Sequence, residues 1–316
     1  MELILNILLL IVGFVLLIKG ADFFVDGASG IADRFGIPQI VIGLTIVAFG
    51  TSAPEAAVSI TAGLQGNTGI AIGNALGSNM LNILIILGIT SCIIPLTVQK
   101  NTLKFEIPFV IFITAVLVAL GAFLGELGLV SGLVLIALFV LFFVYLIRTS
   151  KNGNNGGEEG EEPKKKKPVW LLILMTIGGL VAIVFGSDFT VDGATVIAKT
   201  FGMSDRLIGL TIVALGTSLP ELVTSIIAGR KGNSDIAVGN IVGSNIFNIL
   251  FVLGVTALIC PIPYESKFII DGIIAVAAAV LLLLCIAFDK ERKIRRWGGI
   301  TMLVCYAGYF AYLIAA

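Results

Sequence analysis

Two glutamates stand in the middle of long apolar stretches, and each has the same neighbours. Gly50-Thr51-Ser52-Ala53-Pro54-Glu55 and Gly216-Thr217-Ser218-Leu219-Pro220-Glu221 each combine two hydroxyls, a proline and a carboxylate. A carboxylate at a bilayer centre costs roughly 2.5–3.5 kcal/mol on insertion scales, so an intramembrane acid is by default a functional group. Neither glutamate has a basic residue nearby in sequence. Pro54 cannot donate to the Gly50 carbonyl and its ring presses against that oxygen; Pro220 does the same to Gly216. Both prolines are read as helix breakers. Carbonyls near Ala48 to Thr51 and Ala214 to Thr217 are expected to come free beside the hydroxyls of Thr51, Ser52, Thr217 and Ser218. Oxygen-rich unwound backbone next to a carboxylate is what an ion site between two repeats requires.

A second polar set follows each motif, Gly77-Ser78-Asn79-x-x-Asn82 and Gly243-Ser244-Asn245-x-x-Asn248. Ser78 and Asn82 are four apart and share a helix face, as do Ser244 and Asn248. Their side-chain oxygens are expected to face the two glutamates. Glycines four apart, at Gly69, Gly73 and Gly77 and at Gly239 and Gly243, predict close helix packing. The oxygen count points at a hard cation. Calcium takes six to eight oxygen ligands and tolerates irregular geometry. Two glutamates supply the charge for one Ca2+, and the same oxygens suit several Na+. With no His in the chain and no Cys at repeat-equivalent positions, a soft transition-metal site is disfavoured.

The elements that must position these residues are membrane helices. The 316 residues are 58% hydrophobic and 13% charged, too apolar for a soluble domain. Zero net charge gives no support to a nucleic-acid partner, and no obligatory protein partner is evident. The four cysteines are scattered without CxxC spacing and read as small buried hydrophobes. The first apolar run lacks a basic leader and reads as a retained helix rather than a signal peptide. At about 20 apolar residues per crossing, ten spans are expected, near 3–19, 38–64, 69–95, 106–124, 128–148, 168–185, 204–229, 235–260, 268–288 and 297–315. The fold class is thus all-α and polytopic.

Shifting the chain by 166 residues aligns Gly20–Pro95 with Gly186–Pro261 without a gap, with 44 identities in 76 positions. The expected organisation is a first five-helix repeat (1–148, motif region 20–95), a flexible linker (149–168) and a second repeat (169–316, motif region 186–261). Five helices per half is odd, so the second half enters the membrane inverted, with broken helices at mid-membrane. Placing both termini outside puts every Lys and Arg except Lys199, Arg206 and Lys267 on the inner side, as the positive-inside rule asks. The linker, with its Gly/Asn run and charge blocks, is then a cytoplasmic tether.

At these residues the chain resembles the sodium/calcium exchangers of the calcium/cation antiporter superfamily, in their compact prokaryotic form. Two GTSxPE motifs, each followed by GNxxGSNxxN, resemble that family's two α-repeats, and the likeness covers both halves. It implies exchange of Ca2+ for Na+ across the cell membrane by alternating access, with no cofactor beyond the transported ions and the lipid bilayer as surroundings. Carried over by motif position, the ligands are Ala48 (carbonyl), Thr51, Ser52, Glu55, Ser78 and Asn82, with Ala214 (carbonyl), Thr217, Ser218, Glu221, Ser244 and Asn248. It also implies that the first and sixth helices move as a pair against the other eight. Asn248 departs from relatives that carry aspartate there, potassium-dependent exchangers among them, so the likeness does not extend to K+ co-transport. A Ca2+/H+ antiporter using the same glutamates is the alternative. No GxxxxGK[ST] motif appears, and the Ser and Glu residues of the spans lack a His or Lys partner, so neither an ATP-driven pump nor an enzyme is expected.

Overall fold

Where the apolar sequence lacks a breaker, helices run long. The computed structural model describes residues 2–152, 167–202 and 214–315. Most of the expected tether and the first part of the expected seventh span lie outside the described residues. Helix α1 (Glu2–Phe35) continues well past the expected span 3–19 and stops only at Gly36, whose φ of 66° reverses the chain before Pro38. Elements α2 (Gln39–Thr51) and α3 (Ala53–Leu64) meet at a 52° bend. They lead into α4 (Thr68–Ile93), α5 (Thr102–Leu124) and α6 (Leu129–Asn152). The second half comprises α7 (Val169–Thr200), α8 (Ala214–Thr217), α9 (Leu219–Arg230), α10 (Ser234–Ile259), α11 (Ser266–Ala287) and α12 (Arg296–Ala315). Among the described residues, seven helices are long and apolar enough to cross a membrane, and eight if the bent pair is one span. The protein is an all-helical polytopic membrane protein.

Glycines explain how α1 and α7 pack. Gly13, Gly20 and Gly27 recur every seven residues on α1, and Gly179, Gly186 and Gly193 do so on α7. A methyl on Gly20 would lie 2.9 Å from the Gly179 carbonyl oxygen, and one on Gly186 would lie 2.7 Å from the Leu17 nitrogen. Backbone therefore meets backbone along an antiparallel seam, the close approach that small residues permit between membrane helices. The expected spans 3–19 and 168–185 come out longer because this seam carries both helices through to Phe35 and Thr200.

Helices α4 and α10 form the centre: 72% and 83% of their most apolar windows are buried, against 28–39% for the other helices that qualify as spans. On α10 the expected tight packing is present. A methyl on Gly239 would come 3.0 Å from the Gly43 Cα, and one on Gly243 would meet the Leu44 carbonyl at 2.7 Å, both on α2. Gly73 and Gly77 on α4 meet no such wall among the described residues. Of the cysteines, only Cys285 is buried; Cys92 and Cys260 are half-buried and Cys305 is exposed.

Among the described residues, four two-residue strands tie the ends of the helices together. Strand β1 (Leu96–Thr97) pairs antiparallel with β4 (Lys293–Ile294), and β2 (Glu126–Leu127) with β3 (Ile262–Pro263). Each ribbon joins a loop of one half to a loop of the other.

Candidate cation-binding site

The bend between α2 and α3 follows directly from Pro54. Ser52 leaves helical geometry (φ −86°, ψ 8°) and Pro54 starts the next helix, where its missing N–H is not needed. Ser218 does the same (φ −92°, ψ 2°) ahead of Pro220. The expected release of carbonyls is narrower than the whole turn. Ala48 O still accepts from the Ser52 N–H at 3.0 Å and lies 3.4 Å from the Ser244 hydroxyl, so it is not a bare oxygen. The carbonyl that Pro220 orphans, Gly216 O, is reached at 2.7 Å by the Ser187 hydroxyl of α7. The repeat-equivalent of Ser187 is Ala21, which has no hydroxyl to offer Gly50.

These breaks bring the two glutamates to one place. Glu55 is 2% exposed and Glu221 1%. Ser52 Oγ donates to Glu221 Oε1 at 2.8 Å, so a residue of one motif serves the carboxylate of the other. Thr217 and Ser218 lie near Glu55 from the other motif, and the two carboxylates lie within range of each other's charge. Thr51 Oγ1 lies 2.9 Å from Asn240 Oδ1. Among the described residues, no basic side chain pairs with either glutamate.

Behind the glutamates, asparagines hold the frame. Asn74 Nδ2 donates to Glu55 O at 3.2 Å and to Ser59 Oγ at 2.9 Å. Asn240 repeats the pattern on Glu221 O at 3.3 Å and Ser225 Oγ at 3.1 Å. Where α4 crosses α10, Asn79 and Asn245 donate to each other's backbone carbonyls at 3.1 and 3.3 Å. Asn82 Nδ2 donates to Asn245 Oδ1 at 2.9 Å and Asn248 Nδ2 to Asn79 Oδ1 at 3.2 Å. Each of the last two amides thus spends its donors on a neighbouring asparagine and keeps its oxygen free. Asn82 opens the π-helical turn Asn82–Leu87, and Asn248 lies in the turn Phe247–Val252, a distortion that often marks functional sites.

Eleven buried side-chain atoms among the described residues lack a hydrogen-bond partner, and five belong to the expected ligand set: Glu55 Oε2, Glu221 Oε2, Ser218 Oγ, Asn82 Oδ1 and Asn248 Oδ1. Buried polar atoms are normally satisfied, so a concentration of orphan acceptors calls for a donor or a cation. No group of three or more His, Cys, Asp or Glu side chains occurs among the described residues, which leaves two carboxylates and neutral oxygens as the chemistry available. Ser78 and Ser244 are also buried, and Thr217 is half-exposed. The side chain of Ala214 lies outside the described residues.

Asn74, Asn240, Asn79 and Asn245 were absent from the sequence-derived ligand set. All four sit in the GNxxGSNxxN stretches, and their recurrence at the 166-residue offset is the signal that marks them.

The family model described as sodium/calcium exchanger protein matches residues 5–148 and again 171–315. The chain belongs to the sodium/calcium exchanger family. The putative antiporter CaxA of Alkalimonas amylolytica is 43% identical over 310 residues, covering 95% of each chain. The sodium/calcium exchanger MaX1 of Methanosarcina acetivorans is 33% identical, covering 98% of each. A structure of the sodium-calcium exchanger NCX_Mj soaked with zero Na+ and Ca2+ superposes with a TM-score of 0.84 at 36% identity, over 98% of this chain and 99% of that one. These relatives are prokaryotic, and the exchanger family to which the chain belongs is one of membrane transporters.

Proposed function

We propose that this exchanger moves Ca2+ against Na+ by alternating access, with Glu55 and Glu221 as the carboxylate pair that both ions share. The observation that carries the reading is the set of five orphan oxygens contributed by both halves, both carboxylates among them, with no basic counter-charge beside them among the described residues. Two bare carboxylates in a dry site repel each other and have lost their hydration, so an empty site resists reorientation. One Ca2+ or several Na+ cancel the charge and let the site turn over. That requirement makes exchange obligatory: the carrier returns only when loaded.

The architecture proposed is ten spans in two inverted five-helix halves, 1–148 and 169–316, joined by a cytoplasmic linker, with both termini outside the cell membrane. The strand ribbons support it. Ten alternating spans put the loops holding β1 and β4 on the inner side and those holding β2 and β3 on the outer side, and these are the pairs that meet. The glycine seam supports α1 and α7 as the pair that moves against the rest. The ligand set is Thr51, Ser52, Glu55, Ser78, Asn82 and the Ala48 carbonyl with Thr217, Ser218, Glu221, Ser244, Asn248 and the Ala214 carbonyl.

Vesicles test the coupling. Ca2+ uptake is expected when Na+ is higher inside than outside, with pH clamped. Uptake that ignores Na+ but follows a pH gradient would replace this reading with Ca2+/H+ antiport.

A further inference from the structure

The two ends of the α1–α7 pair differ. At one end Lys231, just beyond α9, bonds Asp22 Oδ1 at 3.0 Å, Asp26 Oδ1 at 2.7 Å and the Asp22 carbonyl at 2.9 Å, all on α1. Asn233 adds a contact to Ser29 Oγ at 3.4 Å. Under these contacts α1 is closed onto the core: Ala21, Val25 and Ala28 on α1 and Thr51 on α2 are fully buried.

The repeat-equivalent acids are Asp188 and Asp192 on α7, and the repeat-equivalent of Lys231 is Gln65. Among the described residues, no basic side chain pairs with either acid, although each lies within range of the other's charge. Here the structure opens. A cavity of about 220 Å3 lies between α7 and the core, lined by Pro54, Ser187, Asp188, Val191, Asp192 and Thr217. Val191 and Thr217 are half-exposed where their counterparts Val25 and Thr51 are buried.

We propose that Lys231 is a positioning residue for exchange: it clamps the inner end of the mobile pair to the core and so holds the binding site open to the outside. The inference rests on the alternating-access reading above and on its sidedness. Exposed ion pairs are individually weak. Between two states of similar energy, however, a contact made in one state alone shifts their ratio by its full strength. Among the described residues, Gln65 leaves the outer end without a matching clamp, and that asymmetry is written into one position of the repeat.

Accessibility tests the clamp without relying on transport. Val191→Cys in a Cys260→Ser, Cys305→Ser background is labelled from outside by a membrane-impermeant maleimide, in vesicles with equal Na+ and Ca2+ on both sides so that the loaded carrier can turn over. Lys231→Gln is expected to slow labelling about threefold to fivefold, because the outward state becomes rarer. Lys231→Arg is expected to restore the rate. Gln65→Lys, which supplies Asp188 and Asp192 with a partner, is expected to slow labelling with Lys231 intact. Equal labelling rates in the parent, Lys231→Gln and Gln65→Lys would overturn the clamp. If Lys231→Gln fails to fold, Gln65→Lys decides alone: slower labelling upholds the clamp and an unchanged rate overturns it. Labelling that responds as expected in a protein showing no Na+-coupled uptake would uphold the clamp and reject the coupling ions instead.

Discussion

Two walls flank the glutamate pair at repeat-equivalent places, and they are built differently. On one side Phe49 stacks on Phe247 at 4.6 Å, Phe247 on Phe251 at 4.9 Å, and Phe139 and Phe143 pack against Phe49. On the other, the equivalents of Phe49, Phe247 and Phe251 are Leu215, Leu81 and Ile85. There a groove of about 390 Å3 remains, bordered also by Ser218, Tyr306 and Phe310. Ligand positions are duplicated almost residue for residue, whereas the walls are not. In the proposed arrangement a bound ion takes the same oxygens from each half, but inverted halves would face opposite leaflets and have no reason to be sealed alike.

The largest effect should come from breaking what the halves share. Glu55→Gln and Glu221→Gln are each expected to abolish Ca2+ transport while the protein still folds. Since both serve one site, the double variant should be no worse than either single one. Vesicle uptake with a thermal melt measures this, and full transport in either single variant would make that glutamate structural.

Thr51 and Thr217 sharpen the contrast at the next level. Thr51 is fully buried against Asn240 Oδ1, and Thr217 is half-exposed beside the cavity. Thr51→Val strips a buried acceptor of its donor, at a cost of about 1–3 kcal/mol, and Thr217→Val is expected to cost less than 1 kcal/mol. Unfolding midpoints under matched conditions report the difference, and equal losses would mean the two turns are alike.

The walls themselves give a smaller, signed prediction. Phe49→Leu should lower stability by about 1–3 kcal/mol by opening a cavity among the rings. Leu215→Phe enters existing space and should change stability by less than 1 kcal/mol in either direction. A reversed order in thermal melts would mean that the groove is not free volume. The mildest change is expected from Asn248→Asp, which keeps an oxygen at the site but adds charge. It should shift the half-saturating Na+ severalfold or introduce K+ dependence, read from uptake at graded ion concentrations; no change in either would remove Asn248 from the ligands.

Much of the site is legible in the sequence because the costs are local. A proline and an unpaired carboxylate inside an apolar run are anomalous on their own, and an exact 166-residue offset couples one anomaly to the other. What escapes depends on partners far apart in the chain. Nothing local says that Asn79 and Asn245 exchange bonds with each other's backbone, or that Ser187 would cap the carbonyl Pro220 leaves bare. The lengths of α1 and α7 escape as well. Their continuation past the apolar spans rests on glycines seven apart meeting across two helices, a pattern that has meaning only once both are side by side. The walls stay hidden for the same reason, since the volume left by a leucine in place of a phenylalanine is a property of the packing.

The central claim is a single site, built from both halves, where Ca2+ and Na+ compete. Titrating the purified protein with Ca2+ at increasing fixed Na+ tests it most directly. The account predicts a Ca2+ affinity that falls steadily as Na+ rises, and loss of that Ca2+ binding in Glu55→Gln and Glu221→Gln alike. Ca2+ binding that is indifferent to Na+, or that survives unchanged in one of the two variants, would contradict it.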